Sequence, residues 1–296
     1  MTDRPPLAPR RVVLIVNPKA RSGSAPLDRA LDAFAKAGVA ARVETSASRA
    51  EVADDIRRLA PETDAVVVCG GDGSINAAAP GLMATGLPMG VIPMGTANDF
   101  ARTLGLPADP AAAARVVIAG RTRPIDLGLV NGAPFFNVAS VGLSVDVADA
   151  LNAGLKRRWG RFSYAVAALK VALRARPFRA WITARDQTVM VRTYQVAVGN
   201  GRHYGGGVIV AEHATIDDGR LDLYSLELRT IWRLATMIRA FRVGMHGAFD
   251  EVRTQNHTAF HVRTRKPRAV NADGDIVAWT PATFEVRPAA VRVFAP

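Results

Sequence analysis

The sequence predicts an α/β N-terminal domain with a mostly parallel sheet over residues 1–125, and a mostly β, sandwich-like C-terminal domain with inserted helices over residues 126–296. Three observations carry that expectation. Short apolar, β-branched runs alternate with helically spaced segments up to about residue 124; these runs end in turns rich in glycine and asparagine; and from Pro124 onward the helical spacing gives way to strand-like runs.

Arg11-Val12-Val13-Leu14-Ile15-Val16 reads as a buried strand that ends at Asn17-Pro18. A helix follows from about Pro26 to Ala37, because Leu27, Ala30, Leu31 and Phe34 share a face and Gly38 ends it. Arg42 to Thr45 is the next strand, and Glu51 to Leu59 a helix with Val52, Ile56 and Leu59 inward. The strand Ala65 to Cys69 then runs into Gly70-Gly71-Asp72-Gly73-Ser74-Ile75-Asn76. A helix to about Met83, the strand Met89 to Pro93 and a second turn at Gly95 complete the alternation. In such a sheet, ligands bind beyond the carboxyl ends of strands, where these loops lie. In the second domain, Phe135 to Ala139, Tyr194 to Val198, Leu221 to Tyr224 and Ala259 to Val262 read as strands, and Phe284 to Phe294 as a closing hairpin.

With 49% hydrophobic and 22% charged residues, wholesale disorder is excluded. The single cysteine, Cys69, sits in an apolar run and predicts a buried, reduced thiol, which fits a cytoplasmic protein. The N-terminus has no secretory core, and no apolar run reaches the roughly 18 residues a membrane span needs, so a soluble chain is expected. A net charge of +12 attracts phosphates, nucleic acids and anionic membranes. No nucleic-acid module appears, so no nucleic-acid partner is expected.

The chemistry concentrates in the glycine turns. In Gly70 to Ser74, three glycines would let the backbone approach a ligand and take positive φ, and the following helix would aim its first amides at an anion. Asp72 in that place calls for a cation, most simply Mg²⁺ on ATP. A tight Asx turn is the plainer reading, but the strand-turn-helix context favours a phosphate cradle. No Gly-Lys-Ser/Thr follows, so this is not a Walker A loop. The second turn, Pro93 to Arg102, reads equally as a phosphate loop or as simple N-capping by Thr96, Asn98 or Asp99.

Together these turns resemble the diacylglycerol kinase catalytic domain family, which includes bacterial diacylglycerol and phosphatidylglycerol kinases and the sphingosine kinases. The resemblance continues through Asn17 to Gly23, Pro124 to Gly128, Gly199 to Gly207, Asp217 to Asp222 and Asp273-Gly274-Asp275. It implies an ATP-dependent lipid kinase with its active site in the cleft between the domains, acting on diacylglycerol, phosphatidylglycerol or a sphingoid lipid in phospholipid metabolism. ATP would be held by Asn17, Thr45, Gly70, Gly71, Asp72, Gly73, Ser74, Ile75, Asn76, Gly95, Thr96 and Asp99, with Asp72 also organising Mg²⁺. Asp126 would join Asp99 in the polar network of the cleft. A structural Mg²⁺ would be held by the Asp218 carboxylate and the carbonyls of Thr215 and Arg220.

Asp275 takes the place of the family's general base, where glutamate is commoner, and Asp273 beside it could share the role. A turn with paired carboxylates is the alternative. Arg21 stands where many members have glycine in the first loop.

The stretch between Asp149 and Asp186 has no acidic residue and nine basic ones, with Trp159, Phe162, Val166, Leu169 and Leu173 on one helical face. Leu228 to Phe249 is also acid-free, with Arg229, Arg233, Arg239 and Arg242. Such segments suit peripheral contact with an anionic inner leaflet, although an amphipathic helix packed on the β domain would look the same. The competing functional readings are a soluble NAD kinase-like phosphotransferase and a non-catalytic anionic-lipid-binding protein.

Overall fold

The computed structural model describes residues 8–16, 25–143, 145, 175–201, 203, 204, 208, 209, 215–230, 233 and 251–296. Two compact units emerge. One is the chain through Leu127 with Pro288–Pro296; the other is Gly128–Tyr204 and Val208–Arg287.

In unit 1, β1 (Arg11–Val16), α1 (Ala25–Lys36), β2 (Ala40–Thr45), α2 (Glu51–Leu59), β3 (Ala65–Gly70), α3 (Asp72–Thr85) and β4 (Met89–Pro93) alternate as expected. Then come α4 (Asp99–Thr103), α5 (Pro110–Ile118) and β5 (Thr122–Val130). The strands lie parallel in the order β2-β1-β3-β4. Val12, Leu14, Val67 and Ile92 are buried with Ala30 and Phe34 of α1 and Ala113 and Val117 of α5. The alternate residues Val13, Ile15, Val66 and Val68 are also buried, and the two-residue period of a strand puts them on the opposite face, which α2 and α3 cover. Burial on both faces is why these strands are continuous apolar runs. Successive connections leave β1 in opposite directions, so the carboxyl ends of β1 and β3 form the switch point at which such sheets bind ligands.

Unit 2 contains β6 (Ala133–Phe135), β7 (Val138–Gly142), β8 (Phe178–Ala184), β9 (Gln187–Thr193), β10 (Gln195–Gly199), β11 (His203–Tyr204) and β12 (Val208–Ile209). It continues with β13 (Leu221–Leu226), β14 (Val252–His257), β15 (Ala259–Thr264), β16 (Ala269–Ala272), β17 (Asp275–Trp279) and the first half of β18 (Ala282–Phe294). One antiparallel sheet has the order β14-β13-β10-β7-β16-β17, and a second is built from β18, β15, β8 and β9. Their facing residues, among them Val141, Val198, Leu223 and Val270 from the first sheet and Ile182, Phe260, Val262 and Phe284 from the second, form one core. This is a β-sandwich. The helices expected to be inserted in this domain fall outside the described residues.

Two expectations are corrected. Phe135 to Ala139 is not one strand: β6 ends at Phe135 and β7 begins at Val138. The Asp273 carboxylate takes the amides of Phe136, Asn137 and Val138 at 2.6, 3.1 and 3.0 Å, which removes them from any ladder. Phe284 to Phe294 is not a hairpin but part of the single strand β18. At Ala289 the backbone turns to φ 50°, its amide donates to Asp126 Oδ1 at 2.8 Å, and the strand exchanges its antiparallel partner β15 for a parallel partner, β4. The chain bends there without reversing.

Candidate active site

The two glycine turns of unit 1 meet at the carboxyl edge of the sheet. β3 ends at Gly70 and α3 begins at Asp72, so only Gly71 lies between strand and helix, and Asp72 to Asn76 form the first helical turn. This corrects the expected loop. None of Gly70, Gly71 or Gly73 has positive φ. The need for glycine lies elsewhere, in the contact between the turns. A Cβ on Gly71 would stand 3.0 Å from the Gly95 Cα, and one on Gly95 would stand 2.5 Å from the Gly71 Cα. Bare backbone faces bare backbone, and no side chain fits.

The second turn closes on Asn98, which sits at φ 51°. Its Oδ1 accepts from the Gly95 amide and its Nδ2 donates to the Gly95 carbonyl, both at 2.9 Å. The short helix α4 has no side-chain cap of its own. Asp72 supplies one across the gap, accepting from the Asp99 amide at 3.2 Å and the Phe100 amide at 2.9 Å. The Met94 amide donates to the Gly70 carbonyl at 2.9 Å, so three hydrogen bonds tie the turns together. Of the capping candidates read from sequence, neither Thr96 nor Asp99 caps the helix start; Thr96 is exposed at the tip of the turn, and Asp99 is buried.

Thr45, the last residue of β2, pairs in register with Val16, which in turn pairs with Cys69 beside Gly70. Thr45 and Gly70 therefore share one edge of the sheet two strand spacings apart, about 10 Å. Arg49 was not singled out from sequence; its guanidinium donates to the Gly73 carbonyl at 2.9 Å and so lies beside the start of α3. Nothing short of the fold could have revealed that pairing. Asn76 is buried, and its Oδ1 has no hydrogen-bond partner among the described residues. Asn17 and the rest of the first loop lie outside the described residues. Burial pushes the Cys69 thiol up to about 12, which makes it an inert core residue.

In unit 2, Asp273 and Gly274 form the two-residue hairpin turn between β16 and β17, both with positive φ, and Asp275 is the first residue of β17. The Asp273 oxygens are engaged by the three amides named above, whereas Asp275 is only partly buried. The segment Thr215 to Arg220 leads into β13; Gly219 has φ 70° and the Arg220 amide donates to Asp218 Oδ1 at 2.9 Å. Nearby, Asp222 accepts from Asn256 Nδ2 at 2.9 Å. Burial raises its carboxyl above the usual range, the Asn256 bond opposes this, and the Asp218 charge adds to it. Among the described residues no group of three or more His, Cys, Asp or Glu side chains is placed to hold a metal.

Residues 11–130 match the diacylglycerol kinase catalytic domain, and residues 137–295 match the YegS C-terminal NAD kinase beta sandwich-like domain. The chain belongs to the bacterial diacylglycerol kinase and YegS-like lipid kinase family, which makes it a kinase-type phosphotransferase by descent. It is 38% identical over 248 residues to a diacylglycerol kinase of Mycobacterium tuberculosis, covering 80% of this chain and 79% of that protein. It is 31% identical over 244 residues to the probable lipid kinase YegS-like of Stenotrophomonas maltophilia, with 79% of each covered. A crystal structure from Bacillus anthracis assigned as a diacylglycerol kinase superposes with a TM-score of 0.81 at 26% identity, covering 98% of both chains.

Proposed function

We propose that the protein transfers the γ-phosphate of ATP to the hydroxyl of a membrane lipid of the diacylglycerol, phosphatidylglycerol or sphingoid class. The observation that carries the reading is the pair of bare-backbone turns at Gly71 and Gly95, fastened by Asp72 at the switch point of a parallel sheet. A phosphate chain would meet the first backbone amides and the positive dipole end of α3, which begins one residue after β3. Gly70 to Asn76, Gly95, Thr96 and Asp99 would line the phosphates, with Thr45 farther along the same edge and Asn17 from the first loop.

Mg²⁺ fits the same place. Asp72 brings a carboxylate to this edge, the hard oxygen ligand that Mg²⁺ takes. Magnesium retains waters and phosphate oxygens and asks for only one or two carboxylates. When bound it neutralises phosphate charge. A second Mg²⁺, held by Asp218 and the carbonyls of Thr215 and Arg220, would relieve the repulsion between Asp218 and half-buried Asp222.

Asp275 orients the lipid hydroxyl and accepts its proton; Asp273, bound to three amides, holds the turn that presents it. The 1–125 segment carries the nucleotide and the 126–296 segment the lipid. Among the described residues no helix is long and apolar enough to cross a membrane. By its net charge of +12, which attracts it to an anionic inner leaflet, we read the enzyme as cytoplasmic and peripheral to that surface. The basic stretch from Lys156 to Arg174 lies outside the described residues, and Arg233 is ion-paired with Glu251 at 2.8 Å, so it adds little to that attraction. The test is incubation with γ-labelled ATP and mixed micelles of the three lipid classes, beside NAD as a soluble acceptor. Label should enter lipid; label in NAD alone overturns the reading.

A further inference from the structure

Strand β17 ends in an exposed aromatic corner that the chemistry above leaves unused. Its register against β16 is irregular: Asn271 faces Ile276 and Val270 faces Ala278, so Val277 is an extra residue in a β-bulge. Val277 and Ala278 both pack on the sandwich core. Ile276 and Trp279 on either side of them are 48% and 59% exposed. Their cross-strand partners, Asn271 and Ala269, lie two apart on β16, so the two large apolar side chains stand on one face. Without the bulge the strand period would send them to opposite faces.

The turn from Thr264 to Arg268 is fastened to this corner. The Thr280 amide donates to the Arg268 carbonyl and the Arg268 amide to Thr280 Oγ1, both at 2.9 Å, and the Thr264 and Thr280 hydroxyls are hydrogen-bonded. Arg265 and Lys266 at the tip of that turn are exposed and pair with no carboxylate among the described residues. Protein interfaces deplete lysine, whereas a tryptophan beside snorkelling cations is the composition of a membrane-water boundary.

We propose that Ile276, Trp279, Arg265 and Lys266 form a docking corner for an anionic lipid surface. The proposal deepens the lipid-kinase reading and rests on it for its purpose: Asp275 lies four residues from Trp279 on the same strand, about 13 Å away, so the docked end and the reacting end share one rigid element.

The test is co-sedimentation of the full chain with phosphatidylcholine vesicles containing phosphatidylserine, without ATP, so binding is read apart from phosphoryl transfer. Trp279→Ser and Ile276→Ser should each weaken binding about tenfold. Arg265→Ala and Lys266→Ala should each weaken it about fivefold and flatten its salt dependence. Met190→Ser, which removes a side chain 55% exposed on β9, should leave it unchanged. Unaltered melting midpoints establish that the variants fold, and a blue shift of Trp279 emission on adding vesicles, taken as the difference between wild type and Trp279→Phe, gives a readout that needs no loss of binding. Equal binding by wild type and the corner variants overturns the proposal. So does a dimer broken by Trp279→Ser with vesicle binding intact, which would assign the corner to a second copy of the chain. If no lipid is phosphorylated but the vesicle differences persist, the kinase reading falls and the docking corner stands.

Discussion

Asp72, Asp273, Asp126 and Asp222 differ in what neutralises them, and that sets what each can do. Asp273 answers three backbone amides. Truncating it leaves buried donors unmet at about 1–3 kcal/mol each, so Asp273→Ala should cost about 3 kcal/mol or more in denaturant unfolding. Asp222 is different, because burial raises its carboxyl. Folding therefore disfavours its ionised form: the stability tied to this group is complete below the unfolded pKa and is lost as pH rises through the folded one. In the presence of a chelator, Asp222→Asn should melt above the wild type at neutral pH, and the difference should close at pH below the ordinary carboxylate value of about 3.9.

At the scale of elements, α4 depends on a cap lent by α3. Asp72→Ala should lower stability by about 1 kcal/mol through loss of that cap. Asp72→Asn keeps an oxygen facing the α4 amides but not the charge, so it should retain most of the stability and lose phosphoryl transfer; thermal melts beside label transfer separate the two roles. In β18, Ala289 holds a left-handed conformation that costs a residue with a Cβ about 1–2 kcal/mol. Ala289→Gly should recover part of this, up to about 1 kcal/mol after glycine's greater unfolded freedom is offset, as a higher denaturant midpoint. The helices and strands of unit 1 were legible in the sequence because their apolar periods are local: Leu27 to Phe34, Val52 to Leu59 and Ala65 to Cys69 each declare a face within a few residues. What was not legible depends on partners far apart. Asp72 meets Phe100 28 residues on, Phe136 meets Asp273 across 137, and Asp126 meets Ala289 across 163. Each of these long-range bonds decides a local outcome, respectively a helix start, a broken strand and a bent one. The glycine motif was legible as a motif, but its cause was not: Gly71 is required by Gly95, 24 positions away, and not by positive φ.

For the whole molecule, the family and the two-domain architecture leave the acceptor and the base as the open chemistry. Asp275 is the sharpest point because it is the base we propose, where the family resemblance leads one to expect glutamate, while its neighbour Asp273 is committed to the backbone. The measurement that tests the account most directly is transfer of label from γ-labelled ATP to lipid by the wild type and by Asp275→Ala, with ATP affinity titrated in parallel. The account predicts that lipid labelling falls at least about a hundredfold while ATP affinity holds, as loss of a general base requires. Lipid labelling by Asp275→Ala at the wild-type rate would contradict it.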